Sequence, residues 1–153
     1  IRRLLTLAHK RGIVLVAAVD PRRSGVSFPA IMREVISVGT PSIASDRPNP
    51  DWTVAVPGAE VLTTTPGATY RFKAGSSMAT AYVSGVTALM LERSPQLSGE
   101  QVRRQLRASA ERTVSNVPLL NICSAVTGEG SDQLCWGHAN QAVPEARPAR
   151  AVQ

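Results

Sequence analysis

Aromatic residues make up only 4% of this 153-residue chain, so its core cannot be built around stacked rings. With 43% hydrophobic content, the core must come from Val, Ala, Leu and Ile, the composition of sheets buried on both faces. That composition also excludes a disordered chain. No apolar run reaches the ~20 residues that a bilayer-spanning helix requires, so no membrane partner is expected. The N-terminus begins at Ile1 and carries no signal-peptide pattern of charge, apolar run and small-residue site. Histidine is confined to His9 and His138, and cysteine to Cys123 and Cys135. Two cysteines permit one disulfide in an exported protein or two free thiols. Without CxxC spacing or a histidine pair, no zinc site is expected. Acidic residues are scarce: 11 Asp plus Glu face 17 Lys plus Arg, for a net charge of +6. Arginine supplies all of that basic set except Lys10 and Lys73. The cations are scattered from Arg2 to Arg150 without interleaved aromatics, which describes a solvated basic face rather than a nucleic-acid surface.

Against these absences the chain offers short β-branched runs set between turn formers. Ile1, Leu4, Leu5 and Ala8 recur at helical spacing, and Gly12 stands where a helix would stop. The run GIVLVAAVD is too short for a helix and reads as a strand buried on both faces. A second strand is expected around Val35 to Val38 and a third in WTVAVPG, separated by the loop PSIASDRPNPD. The stretch VLTTTPGATYRF reads as a hairpin, or as two extended arms, about Pro66-Gly67. A long helix follows from about Ser76 to Arg93, with Pro95 just beyond it. The next helix opens at Ser98, three residues before Gln101, the spacing of a capping box. Its apolar stripe is Val102, Leu106 and Ala110, with Arg103, Arg104 and Arg107 toward solvent. From Thr127 onward Gly, Ser, Pro, Ala and Arg dominate, as in a weakly structured tail. Strands alternating with helices predict an α/β fold, a parallel sheet with flanking helices. Three buried-type strands with so few helices also suggest that part of such a fold lies outside this chain.

Gly75-Ser76-Ser77 introduces the long helix. Met78, Ala79, Val83, Val86, Ala88, Leu89 and Leu91 cover it nearly all round, the pattern of a central helix, and Gly85 would admit another backbone closely. A helix N-terminus offers unpaired N–H groups and a partial positive charge. A serine placed there serves as an N-cap, or as a nucleophile whose developing negative charge those N–H groups stabilise.

The neighbourhood bears on that choice. Gly75-Ser76-Ser77-Met78-Ala79, with Val83 and Gly85 following, resembles the nucleophile motif Gly-Thr-Ser-Met-Ala of the subtilisin-like serine proteases, the subtilases. Phe28-Pro29-Ala30 is similar to the family's Tyr-Pro-Ala segment, Ala55-Val56-Pro57-Gly58 to its Ala-Pro-Gly turn, and Asn121 to its closing Val-Asn. These matches run in the family's order over residues 1 to 126, which resemble the C-terminal half of the catalytic domain. Residues 127–153 would then be the tail.

The resemblance implies a serine endopeptidase that cleaves peptide or protein substrates through an acyl-enzyme, with Ser77 as nucleophile and Ser76 in place of the family's Thr. It further implies secretion or a cell-envelope location. Neither the Asp-Ser/Thr-Gly nor the His-Gly-Thr segment that brings the family's acid and base occurs here. The N-terminal half of the domain is therefore an expected partner, and the isolated chain is expected to be inactive. His9, on a surface helix, and His138, in the tail, are poor substitutes for the base. Asp20 stands where the family's Asn donates to the oxyanion. An ionised carboxylate only accepts hydrogen bonds, and removing such a donor costs subtilisin roughly 10²–10³ in rate. Asp20 serves equally well as the residue opening the turn before Pro21. No cofactor is expected: subtilases often bind calcium, yet Asp46, Asn49 and Asp51 match no dedicated calcium loop. The alternative is a non-catalytic pseudoprotease that binds a partner through its exposed sheet edge and basic surface. An esterase is disfavoured because Gly75 to Ala79 does not give Gly-x-Ser-x-Gly.

Overall fold

Parallel strands are joined by long crossover connections, and antiparallel ones by tight turns. The computed structural model of the chain describes residues 1–20, 22, 26–41, 53–112 and 118–128. Helix α1 (Arg2–Lys10) leads to β1 (Leu15–Ala18), β2 (Val35–Gly39) and β3 (Thr53–Ala55). The hairpin β4 (Val61–Thr65) and β5 (Thr69–Lys73) precedes α2 (Ser76–Arg93) and α3 (Gly99–Ala108). Strands β6 (Ala110–Arg112) and β7 (Pro118–Leu120) and helix α4 (Ile122–Thr127) complete the order. The main sheet runs β1-β2-β3-β7-β6, parallel except for the last pair. The expected parallel sheet with flanking helices is present.

Every residue of β2 is buried, as a central strand requires. Its Ile36 and Val38 join Val54 and Val56 against Ala79, Val83, Val86 and Met90 of α2 and Val102 and Leu106 of α3. By strand alternation Val35 and Ser37 face the other way, and both are buried as well. α1 is tied to the segment before β2, with Thr6 donating to Glu34 over 3.4 Å and the Arg2 guanidinium 5.5 Å from the centre of the Phe28 ring. The Phe28–Pro29 peptide is cis.

The ends of α3 follow its capping chemistry. The Ser98 hydroxyl accepts from the Gln101 N–H, and the Gln101 side chain accepts from the Ser98 N–H, so two orphan donors are satisfied reciprocally. The helix stops at Ala108, and Ala110, expected on its stripe, instead begins β6 and pairs with Leu120. Arg103 is not turned to solvent: it donates to the Arg33 carbonyl and to Glu100, fastening α3 to the turn before β2. Strands β6 and β7 escape sequence reading because they are short and carry Glu, Arg and Pro. Asn121 caps α4 by accepting from the Ser124 N–H at 3.1 Å, and Gly128 ends the helix in the left-handed conformation. Cys123 is disulfide-bonded; Cys135, the other cysteine of the chain, lies outside the described residues, as do positions 129–153 of the expected tail.

Two burial expectations are corrected. β1 is half-buried throughout rather than buried on both faces, because it forms the outer edge of the sheet. α2 buries one face only: Tyr82 is 45% and Leu89 52% exposed, and a side chain at Gly85 would meet open space. The apolar stripe of α1 is only partly covered: Leu5 and Ala8 are half-buried, while Ile1 is 85% and Leu4 68% exposed.

Within the buried face of α2, the Thr87 hydroxyl has no hydrogen-bond partner among the described residues. A buried unpaired hydroxyl costs about 1–3 kcal/mol of desolvation. Thr87→Val keeps the branched shape and removes that penalty. Urea unfolding is expected to show a gain of about 1 kcal/mol at constant m-value, and a loss of stability would mean that the hydroxyl is paired in solution.

Candidate functional site

The carboxyl ends of β1 and β3 and the N-terminus of α2 converge on one point. β1 delivers Val19 and Asp20, and the turn after β3 delivers Gly58. The Gly75 N–H donates to the Gly58 carbonyl at 2.7 Å, drawing the two backbones together. A Cβ built on Gly58 would lie 2.6 Å from the Gly75 carbonyl oxygen, so this approach requires glycine. Gly75 itself has φ of 136°, a backbone conformation that side-chain-bearing residues rarely adopt.

Gly75, not a serine, is the N-cap residue of α2. Its carbonyl accepts from the N–H groups of Met78 and Ala79 at 3.0 and 3.2 Å. The first helical residue, Ser76, is buried, and its hydroxyl donates across the site to the Val19 carbonyl at 2.6 Å. Neither serine therefore acts as the expected N-cap. Ser76 bridges the sheet end to the helix. Ser77 is left exposed on the first turn, beside the N–H groups that carry the positive end of the helix dipole.

Ser77 lies between two open depressions. One, of about 340 Å³, is lined by Val19, Asp20, Arg22 and Gly75 to Ser77, so residues 57 positions apart in the chain meet there. Asp20 is bound into its own turn: Oδ1 accepts from the Arg22 N–H at 3.0 Å and from Arg22 Nε at 3.3 Å. The other depression, of about 660 Å³, extends from Ser77 and Met78 along the hairpin face carrying Thr63, Thr65, Arg71 and Lys73. Sequence reading passed over that hairpin face, although its alternation of Thr69, Arg71 and Lys73 on one side was the available signal.

His9 lies before β1, packed near Gly99 and Val14 at the start of α3, whereas Ser77 stands past the carboxyl end of that strand. A four-residue strand spans about 13 Å, so His9 is out of reach of Ser77. His138 and the calcium candidates Asp46, Asn49 and Asp51 lie outside the described residues. Among the described residues no cluster of His, Cys, Asp and Glu is suited to a metal ion.

Comparison with known proteins bears on the family and the fold. Residues 1–135 match the family profile Peptidase_S8, the Subtilase family. The chain is 34% identical over 109 residues to M-protease of Shouchella clausii, covering 67% of this chain and 29% of that one. It is 35% identical over 113 residues to Subtilisin DY of Bacillus licheniformis, covering 67% and 41%. The chain thus spans less than half the length of these relatives. Among solved structures, the prenylagaramide maturation protease PagA superposes with a TM-score of 0.66 at 22% identity, over 82% of this chain and 54% of that one. Fervidolysin from Fervidobacterium pennivorans, a keratinolytic enzyme related to subtilisin, gives 0.67 at 23% identity, over 80% and 23%. At such identities the structural likeness speaks for the fold.

The two serines should separate in stability measurements. Ser76→Ala leaves the Val19 carbonyl without its donor and is expected to cost about 1–2 kcal/mol, while Ser77→Ala stays within about 0.5 kcal/mol. Equal effects in urea titration would remove the structural role assigned to Ser76.

Proposed function

Because the chain belongs to the subtilase family, we propose that it carries the nucleophile half of a serine endopeptidase domain, with Ser77 as the attacking group. The observation that supports this most directly is the division of labour at the start of α2. Ser76 holds the helix to the sheet, and Ser77 stands exposed on that anchored turn beside Asp20. In this reading the Ser77 oxygen attacks the peptide carbonyl carbon, and its proton passes to an imidazole and from there to the departing amine. Water then releases the acyl group. N–H groups at the first turn of α2 stabilise the oxyanion. The acid and base come from polypeptide beyond the described residues, and so does the extended segment that lines the substrate cleft in this family.

The uncovered apolar surfaces support a partner of the domain-half kind. The outer edge of β1 and the exposed faces of α1 and α2 are continuous with no further layer among the described residues. Peptides or proteins are the substrates in this reading. The disulfide at Cys123 supports an oxidising, extracytoplasmic setting, and no helix among the described residues is long and apolar enough to cross a membrane.

One observation favours the non-catalytic reading. Asp20, in the oxyanion position by resemblance alone, is an acceptor already engaged by Arg22, where an amide donor would be more useful.

The decisive test is fluorophosphonate labelling of the product of the complete reading frame that encodes this chain. Labelling that disappears in Ser77→Ala is expected. A folded product without Ser77-dependent labelling would overturn the protease reading in favour of the pseudoprotease. In the same assay Asp20→Asn supplies a side-chain donor and is expected to raise the labelling rate, by as much as ~10²-fold. An unchanged or lower rate would show that Asp20 does not face the oxyanion.

A further inference from the structure

The larger depression beside Ser77 has a chemical bias. In the hairpin, Thr63 pairs with Arg71, Val61 with Lys73 and Thr65 with Thr69, so Arg71 and Lys73 emerge two residues apart on one face. That face lines the depression shared with Ser77 and Met78, and among the described residues no acidic side chain contributes to the lining. Neither cation is ion-paired among the described residues. The tip of the hairpin is held in shape by the Thr65 hydroxyl, 2.7 Å from the Thr69 hydroxyl and 3.2 Å from the Thr69 carbonyl. Two cations thus project from a braced ribbon into a concavity that ends at Ser77.

From this juxtaposition we propose that Arg71 and Lys73 form a subsite for a carboxylate of the polypeptide substrate, from an Asp or Glu side chain or from the chain end. The inference rests on the reading of Ser77 as the point at which substrate is attacked, and it adds a substrate class to that reading. Arginine is suited to the role, since its planar fork engages both oxygens of a carboxylate, while Lys73 adds a second point charge. The cations on this side face open solvent, so the preference is moderate and depends on salt. On the opposite side of Ser77 the Arg22 charge is matched by Asp20, which leaves the hairpin side as the electropositive one.

The test uses the complete reading-frame product carrying Ser77→Ala, so that peptides are bound without turnover. Fluorescein-labelled octapeptides with central Asp, Asn or Lys, all C-terminally amidated, are compared by anisotropy at low salt. A fourth peptide has central Asn and a free carboxyl terminus. The Asp peptide is expected to bind about 3- to 10-fold more tightly than the Asn peptide, with the difference shrinking as salt rises. The double variant Arg71→Glu/Lys73→Glu reverses the preference toward Lys, and Arg71→Lys retains most of it. Equal binding of the Asp, Asn and free-acid peptides, or a preference that survives charge reversal, overturns the subsite. If the free-acid Asn peptide alone matches the Asp peptide, the subsite reads carboxylates without regard to their source; if it does not, the side chain is the group recognised. Fluorophosphonate labelling of the Ser77 form, run in parallel, separates the two claims. Charge preference without labelling overturns the protease reading and keeps the subsite, and labelling without charge preference overturns the subsite alone.

Discussion

The contact on which the described fold depends is the meeting of two backbones at Gly58 and Gly75. A hydrogen bond of 2.7 Å joins them, and the space between leaves no room for a Cβ on Gly58. This contact fixes where α2 begins relative to the end of β3. A second bond, from Ser76 to the Val19 carbonyl, fixes the same turn relative to β1. With both in place, the first turn of α2 has little freedom to shift or rotate, and Ser77 inherits its position from neighbours that do no chemistry themselves. In open α/β sheets the carboxyl ends of the strands form the natural crevice for ligands, and here they converge on the amino end of a helix. Ser77 therefore sits where strand ends, helix dipole and solvent coincide.

From that point α2 runs back along β1 and β2, and its burial shows how much of the fold these residues supply. Its Ala79, Val83, Val86 and Met90 are buried against the sheet and α3. The opposite face, with Tyr82 and Leu89, is open, as is the outer edge of β1. A helix apolar around its whole circumference is stable only when layers cover both sides. The sequence of α2 is written for such a place, and one of its two covers is present among the described residues. An unpaired edge strand with apolar residues also invites pairing with other chains, so a stable protein has to cover it.

What could be read from sequence and what could not divide along the range of the interactions. The limits of α2, the reciprocal cap at Ser98 and Gln101 and the Pro66-Gly67 hairpin were legible, because each is encoded within a few residues. Strands β6 and β7 were not, since Ala110–Arg112 becomes a strand only by pairing with Pro118–Leu120. Ala110 accordingly continued the helical stripe on paper and left it in the fold. Arg103 was assigned to solvent by periodicity, which carries no knowledge of the Arg33 carbonyl 70 positions away. At the site, the pairing of Asp20 with Ser77 came from resemblance to a family, as composition and periodicity contain nothing that joins them. The bridging role of Ser76 was illegible for the same reason: Ser76 has the chemistry of a cap, and only the distant Val19 carbonyl diverts it.

The charges around Ser77 decide what kind of influence the site can exert. Asp20 and Arg22 form a pair whose fields largely cancel beyond their own separation, leaving the helix dipole and the hairpin cations. All of these face solvent, where at physiological ionic strength a charge is screened over about 8 Å. Steering of a distant substrate is thus weak, and the chain's overall charge of +6 adds a diffuse attraction without direction. Within the depression itself, a bound peptide excludes water and lowers the local dielectric, so the same cations act more strongly on a carboxylate already seated than on one approaching. Their effect is therefore expected in how long a substrate stays in register with Ser77 more than in how fast it arrives, which is the usual division between contact selectivity and electrostatic steering.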